Sequence, residues 1–210
     1  MNKLLTVTQR SPRRIGVALF FACSVVAAQE LAPDVMIKEE TQAVLAIIKQ
    51  DKDIQSGNFK KSVELIEQRV APAFNFLRMT QLAVGKFWDK ASAQQRSALA
   101  GEFRSLLVRT YANALANFKD YTIVYKPFRA REGDTRVVVK TQVNQPSGEP
   151  VPIDYSLETG PSGWKVYDVS VGGVSLVISY RENFAMEIRN NGIDGLIAAL
   201  QKKNQQLQKK

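Results

Sequence analysis

The chain has 210 residues, 29 Lys and Arg against 20 Asp and Glu, a formal net charge of +9, one cysteine and no histidine. Without histidine the usual base of a nucleophile–base pair is missing, and with Cys23 as the sole thiol neither an intrachain disulfide nor a thiolate zinc site can form. Hydrophobic residues make up 45% of the chain, so an apolar core is available to one domain.

Residues 1–28 have the layout of an export signal. Lys3, Arg10, Arg13 and Arg14 form a basic start, Ile15 to Val26 is apolar apart from Ser24, and Ala27-Ala28 supplies small residues for cleavage. A run of twelve residues falls short of the ~20 that span a bilayer. Cleavage after Ala28 removes four basic side chains and no acidic one, lowering the net charge to +5, and it also removes Cys23. The expected mature chain, residues 29–210, is a single cysteine-free periplasmic domain.

Helical periodicity dominates the next stretch. Ile37, Thr41, Val44, Leu45 and Ile48 share one face of a helix over about residues 33–50, with Pro33 suited to its first turn. After Ser56-Gly57-Asn58, the residues Phe59, Val63, Ile66 and Val70 repeat the pattern until Pro72 ends it. Phe76, Met79, Ala83, Val84 and Phe87 mark a third helix. Ser92 with Gln95 reads as a capping box for a fourth, whose stripe of Leu99, Phe103, Leu106, Leu107, Thr110, Tyr111, Ala114, Leu115 and Phe118 predicts a long helix. The helical part covers about residues 33–118.

The period then changes to that of strands over about residues 121–171: Tyr121–Phe128, Thr135–Val143, Val151–Glu158 and Trp164–Val171, joined by loops rich in Gly, Pro, Ser and Asn. Val151, Ile153, Tyr155 and Leu157 alternate with Pro152, Asp154, Ser156 and Glu158, so one face is buried and the other wet. This predicts an α+β fold with a curved four-stranded antiparallel sheet packed against several helices, the long fourth helix serving as its lid. Gly172-Gly173 reads as a tight turn into C-terminal helices over about residues 174–203. These are punctuated at Asn191-Gly192 and followed by a polar tail expected to fray.

No phosphate-binding glycine loop, carboxylate cluster for a metal, or convincing nucleic-acid surface is found. Arg129, Arg131 and Arg136 around one loop read as a solvated basic turn. The one enzyme class open without histidine is a carboxylate–tyrosine isomerase using Asp168 with Tyr167 or Tyr155. Neighbouring strand residues face opposite ways, which keeps Asp168 and Tyr167 apart. The expectation is a protein without catalytic or metal-binding residues.

Several strings, in order, resemble a known family. They are Phe87-Trp88 before Gln94-Gln95-Arg96, Phe103-Arg104 with Leu106-Leu107, Arg109-Thr110-Tyr111, Thr141-Gln142-Val143, Ile153-Asp154-Tyr155, Gly163-Trp164 with Tyr167-Asp168-Val169, Gly173-Val174-Ser175-Leu176-Val177, and Tyr180-Arg181. Together they resemble the MlaC family, also called toluene-tolerance auxiliary proteins. The resemblance implies a cone-shaped fold like that of nuclear transport factor 2, with added helices and a deep apolar pocket between sheet and helices. It further implies a periplasmic carrier without a cofactor that binds phospholipid by its acyl chains. Such a carrier meets an MlaD-type subunit of an inner-membrane ABC transporter and an MlaA-type outer-membrane lipoprotein with a porin, maintaining outer-membrane lipid asymmetry. A monomer is expected.

Periodicity nominates the pocket lining: Val137, Val139, Ile153, Tyr155, Leu157, Trp164 and Val166 on the strands, Phe103, Leu107, Tyr111 and Leu115 on the facing helix, and Val174, Leu176 and Val177 either at the mouth or packed as core. Arg104, Arg109 and Arg181 are nominated for the phosphate of a headgroup. The rival reading is a periplasmic adaptor or chaperone-like protein that carries no lipid.

Overall fold

The computed structural model describes residues 31–208, so the expected export signal lies outside the described residues. Helix α1 (Pro33–Gln50) begins with proline in its first turn and no side-chain cap. It ends at Asp51, whose carboxylate accepts from the amides of Asp53 and Ile54 and thereby starts the single turn α2 (Lys52–Gln55). Those bonds, the Ile54 amide foremost, hold the Asp51 carboxyl below its usual range. Asn58 caps α3 (Phe59–Leu65), which widens into a π-helical turn over Ile66–Val70 and tightens to a 3-10 turn at Ala71–Ala73, where Pro72 ends the helical path.

The chain then touches the sheet before turning back. Phe74 forms a parallel bridge with Val166, and the Asn75 amide donates to the Val166 carbonyl at 2.8 Å. Asn75 also caps α4 (Phe76–Val84). Helix α5 (Ala93–Ala112) opens with the expected Ser92–Gln95 capping box, but its α-geometry stops at Ala112 and Asn113–Asp120 continues as 3-10 helix. This tightening rotates Leu115 and Phe118 off the α5 stripe.

The sheet runs β1 (Thr122–Tyr125), β2 (Arg136–Asn144), β3 (Val151–Gly160), β4 (Gly163–Val171) and β5 (Val174–Ser175), in that spatial order, all antiparallel and open at both edges. It has one strand more than periodicity predicts. Gly172 and Gly173, with φ of 60° and 83°, make a two-residue hairpin that pairs Val171 with Val174 before the chain turns helical. A second departure lies in β4. Ser156 pairs with Asp168 but Leu157 pairs with Val166, so Tyr167 is an extra residue in a β-bulge. The bulge resets the alternation, putting Val169 on the inner face with Val166.

Helix α6 (Arg181–Gln208) breaks at Gly192, with φ 73° and ψ −178°. Its tail does not fray. Asn204 is buried, its side-chain amide donates to the carbonyl and carboxylate of Glu102, and Leu207 packs at the edge of the core. The polar tail therefore docks on α5 by hydrogen bonds that an apolar stripe does not reveal.

The expected lid is likewise replaced. Leu99, Phe103, Leu106 and Leu107 of α5 pack against α4 and α6 with Phe184, Ile188, Leu196 and Leu200, while Val108 and Ala112 pack against α3 and the π turn. Both apolar flanks of α5 are thus occupied by other helices. The sheet's inner face is covered by α1, with Ile37 and Met36 set against Val139, Leu157, Val166 and Val169.

Candidate functional site: a carbon-walled cavity under helix α1

The inner face of the sheet and α1 do not meet everywhere. Between them lies a cavity of about 200 Å³. Helix α1 lines it with Ile37, Glu40, Thr41, Val44, Leu45 and Ile48. Their spacing of i, i+3, i+4, i+7, i+8 and i+11 is a single helical face. The sheet contributes Ile123, Val143, Ile153, Tyr155 and Val166, and Val70, Ala73, Phe74, Leu115 and Phe118 complete the lining.

Polar atoms are few and sit on recognisable supports. The Thr41 hydroxyl shares a 2.7 Å hydrogen bond with the Tyr125 hydroxyl, tying α1 to the edge strand, and also donates to the Ile37 carbonyl at 2.6 Å. Burial pushes the Tyr155 phenol up to about 12, with the Tyr125 phenol adding to the rise and Thr141 opposing it. Glu40 is the one acid in the lining, and its Oε2 is shielded from solvent without a hydrogen bond. Such a wall excludes water and offers little to a polar solute, whereas a hydrocarbon loses nothing by entering.

Of the residues nominated from periodicity, Leu115, Ile153, Tyr155 and Val166 line this cavity. Val137, Val139, Leu157, Trp164 and Leu176 belong to the packed layer of the sheet core beside it. Phe103, Leu107 and Val177 lie in the separate helical core, where Phe103 meets Tyr180 and Phe184 edge-on at 5.1 and 5.2 Å. Tyr111 and Val174 sit at the surface, 39% and 63% exposed. Of the nominated helix residues only Leu115 stays in the site, because α1, not α5, covers the sheet.

The three nominated arginines all have structural partners. Arg104 pairs with Glu67 and lies over the Phe76 ring. Arg109 donates to the Asn204 carbonyl at 3.0 Å, and Arg181 donates twice to the Leu82 carbonyl, at 3.0 and 2.8 Å. None of them lines the cavity. Asp168 faces the outer side with Ser156 and accepts from the Ser175 hydroxyl and the amides of Val169 and Val177. Its carboxylate is a brace for the β4–β5 hairpin, on the opposite face from Tyr155. Among the described residues no group of three or more acidic, histidine or cysteine side chains is arranged to hold a metal.

Sequence reading missed the α1 wall, with Phe74, Phe118, Ile123 and Val143. One signal was present: Glu40 falls on an otherwise apolar helical face, a placement at odds with a dry core.

The family model for the MlaC protein matches residues 38–202. The chain belongs to the MlaC family. A phospholipid-binding protein from Ralstonia solanacearum, solved in complex with a phospholipid, is 43% identical, superposes with a TM-score of 0.78, and is matched over 84% of this chain and 99% of its own. Toluene tolerance protein ttg2D of Pseudomonas putida is 26% identical over 175 residues, 83% of this chain and 80% of that protein. The Haemophilus influenzae intermembrane phospholipid transport system binding protein MlaC is 25% identical over 177 residues, 82% of each. The cavity, the open antiparallel sheet and the covering helices thus occur in an MlaC-family chain whose relatives include a phospholipid complex.

Proposed function

We propose that this MlaC-family protein is a periplasmic carrier that takes phospholipid acyl chains into the cavity between α1 and the sheet. The observation that carries the reading is the carbon-walled cavity itself, in a chain 43% identical to a protein solved with a phospholipid. Burying two chains of about 16 carbons at ~0.8 kcal/mol per methylene gives a gross gain on the order of 25 kcal/mol. Ordering of the chains and desolvation subtract from that figure. The remainder still favours a retained lipid that leaves when a partner or membrane opens the pocket.

The cavity dimensions support such opening. A cavity of about 150 Å³ admits a benzene-sized molecule, so one of about 200 Å³ accommodates a short stretch of one acyl chain. Seating a diacyl lipid requires the walls to part. Helix α1 is the wall best suited to move, since its start lacks a side-chain cap; parting it from the sheet breaks the Thr41–Tyr125 bond. We assign the docking steps to an MlaD-type subunit of an inner-membrane ABC transporter and to an MlaA-type lipoprotein with its porin. Shuttling between them supports outer-membrane lipid asymmetry.

Native mass spectrometry of the purified protein, followed by solvent extraction, tests the reading. Near-stoichiometric diacyl phospholipid is the expected result. A protein that stays lipid-free after incubation with phospholipid vesicles and both partner complexes overturns it in favour of an adaptor whose surface is the function.

A further inference from the structure

Glu40 and Arg69 form an unsatisfied pair beside the cavity. Glu40 is in the cavity lining, and its shielded Oε2 accepts no hydrogen bond. Arg69 precedes the lining residue Val70, and its Nη2 lies 3.7 Å from that same oxygen. This separation exceeds the 2.7–3.2 Å of an N–H···O bond, so the two groups attract without using each other's hydrogen-bonding capacity. Neither makes another hydrogen bond or ion pair among the described residues, and their side chains are 48% (Arg69) and 38% (Glu40) exposed. The result is an open acceptor and an open guanidinium side by side, where an apolar chamber reaches its polar edge.

That arrangement has the charge pattern of a zwitterion turned inside out. A phosphodiester is an anion with oxygens that suit the planar fork of an arginine. A primary ammonium is a cation with three N–H donors that a carboxylate accepts. In an aminoethyl phosphodiester headgroup the two charges are joined by a two-carbon link, so one headgroup meets both partners of a neighbouring acid–base pair. A quaternary ammonium has the charge but no N–H to donate, and a glycerol headgroup has donors but no positive charge.

We propose that Glu40 and Arg69 form a headgroup subsite selective for zwitterionic phospholipids bearing a primary ammonium, Arg69 taking the phosphate and Glu40 the ammonium. The proposal rests on the carrier reading. In the lipid-free protein the two side chains neutralise one another; with lipid seated, each exchanges a loose Coulombic partner for a charge-assisted hydrogen bond.

The test is competitive loading. Delipidated protein is incubated with vesicles holding equal amounts of phosphatidylethanolamine, phosphatidylglycerol and phosphatidylcholine with identical acyl chains, and the bound lipid is counted by native mass spectrometry. Partly exposed charge pairs are modest, so the wild-type protein should enrich the ethanolamine lipid by roughly two- to fivefold. Glu40→Gln should return the ratio to that of the vesicles, and Arg69→Gln should lower occupancy by all three lipids. Bound lipid that mirrors the vesicle composition in the wild type overturns the subsite and leaves the carrier intact. So does a Glu40→Gln variant that melts at a lower temperature yet keeps the wild-type ratio, the signature of an ion pair that only fastens α1. Absence of lipid from every variant, wild type included, defeats the carrier reading and the subsite with it.

Discussion

Replacing Val44 by tryptophan should block the cavity without unfolding the protein. Val44 stands in the middle of the α1 face that lines the chamber, whose sheet wall includes Ile153 and Tyr155. An indole in place of an isopropyl group fills space equivalent to about three methylenes of an acyl chain, and at ~0.8 kcal/mol each this displaces roughly 2.4 kcal/mol of binding energy. The expected consequence is lipid affinity weakened about 50-fold. Because the indole enters a space of about 200 Å³ instead of a filled core, overpacking strain is small and the lipid-free melting temperature should stay within about 4 °C of wild type. The assay titrates delipidated protein with fluorescent phospholipid in vesicles, with thermal melts in parallel. Val138→Trp is the control, since Val138 is exposed and pairs with Ser156 on the outer face of the sheet. A folded Val44→Trp protein that loads like wild type, or a Val138→Trp protein that loses lipid equally, refutes the assignment of this chamber as the acyl-chain site.

Three further outcomes follow from the same geometry. The Tyr155 phenol is raised from 10.0 to about 12 by burial, so the folded state keeps its proton longer than the unfolded chain. Stability from this residue is complete below pH 10 and is lost as pH rises through about 12, roughly 3 kcal/mol in all. Urea titrations between pH 9 and pH 12 should show that fall, with a shallower one in Tyr155→Phe; identical slopes would mean that the phenol ionises freely. Gly192→Ala should destabilise by roughly 1–3 kcal/mol. At φ 73° and ψ −178° the backbone suits glycine alone, and the space around an added Cβ is open, so the loss is conformational strain; a denaturation midpoint equal to wild type would contradict this. Asp168→Ala leaves the Ser175 hydroxyl and two backbone amides without their acceptor and should cost roughly 2–4 kcal/mol. Lipid loading of the folded fraction should be unchanged, because the carboxylate faces away from the cavity; selective loss of lipid without loss of stability would be the contrary result.

Local features were readable from residue order because they depend on neighbours in the chain. The capping box at Ser92 and Gln95, the proline at the head of α1, the two-residue alternation of β3 and the break at Gly192 each express a short-range rule. The family was readable too, because its strings persist in order along the chain. Of the nominated lining, the residues that face the cavity are those whose side is set by strand alternation, Ile153, Tyr155 and Val166, with Leu115.

Which surface meets which was decided only in three dimensions. Stripe periodicity shows that α5 has an apolar face but not what covers it, and the sheet expected under α5 is covered by α1 instead. The contest was settled by the volume of α4 and α6 around Phe103 and by the Phe74–Val166 bridge, a contact across 92 residues of chain. The bulge at Tyr167 reset the facing of β4 by one residue, which alternation cannot anticipate. The nominated arginines were likewise fixed by distant carbonyls at Leu82 and Asn204 and by Glu67. The cavity exists because α1 and the sheet approach without interdigitating, and a void is a property of two surfaces that neither sequence segment carries alone.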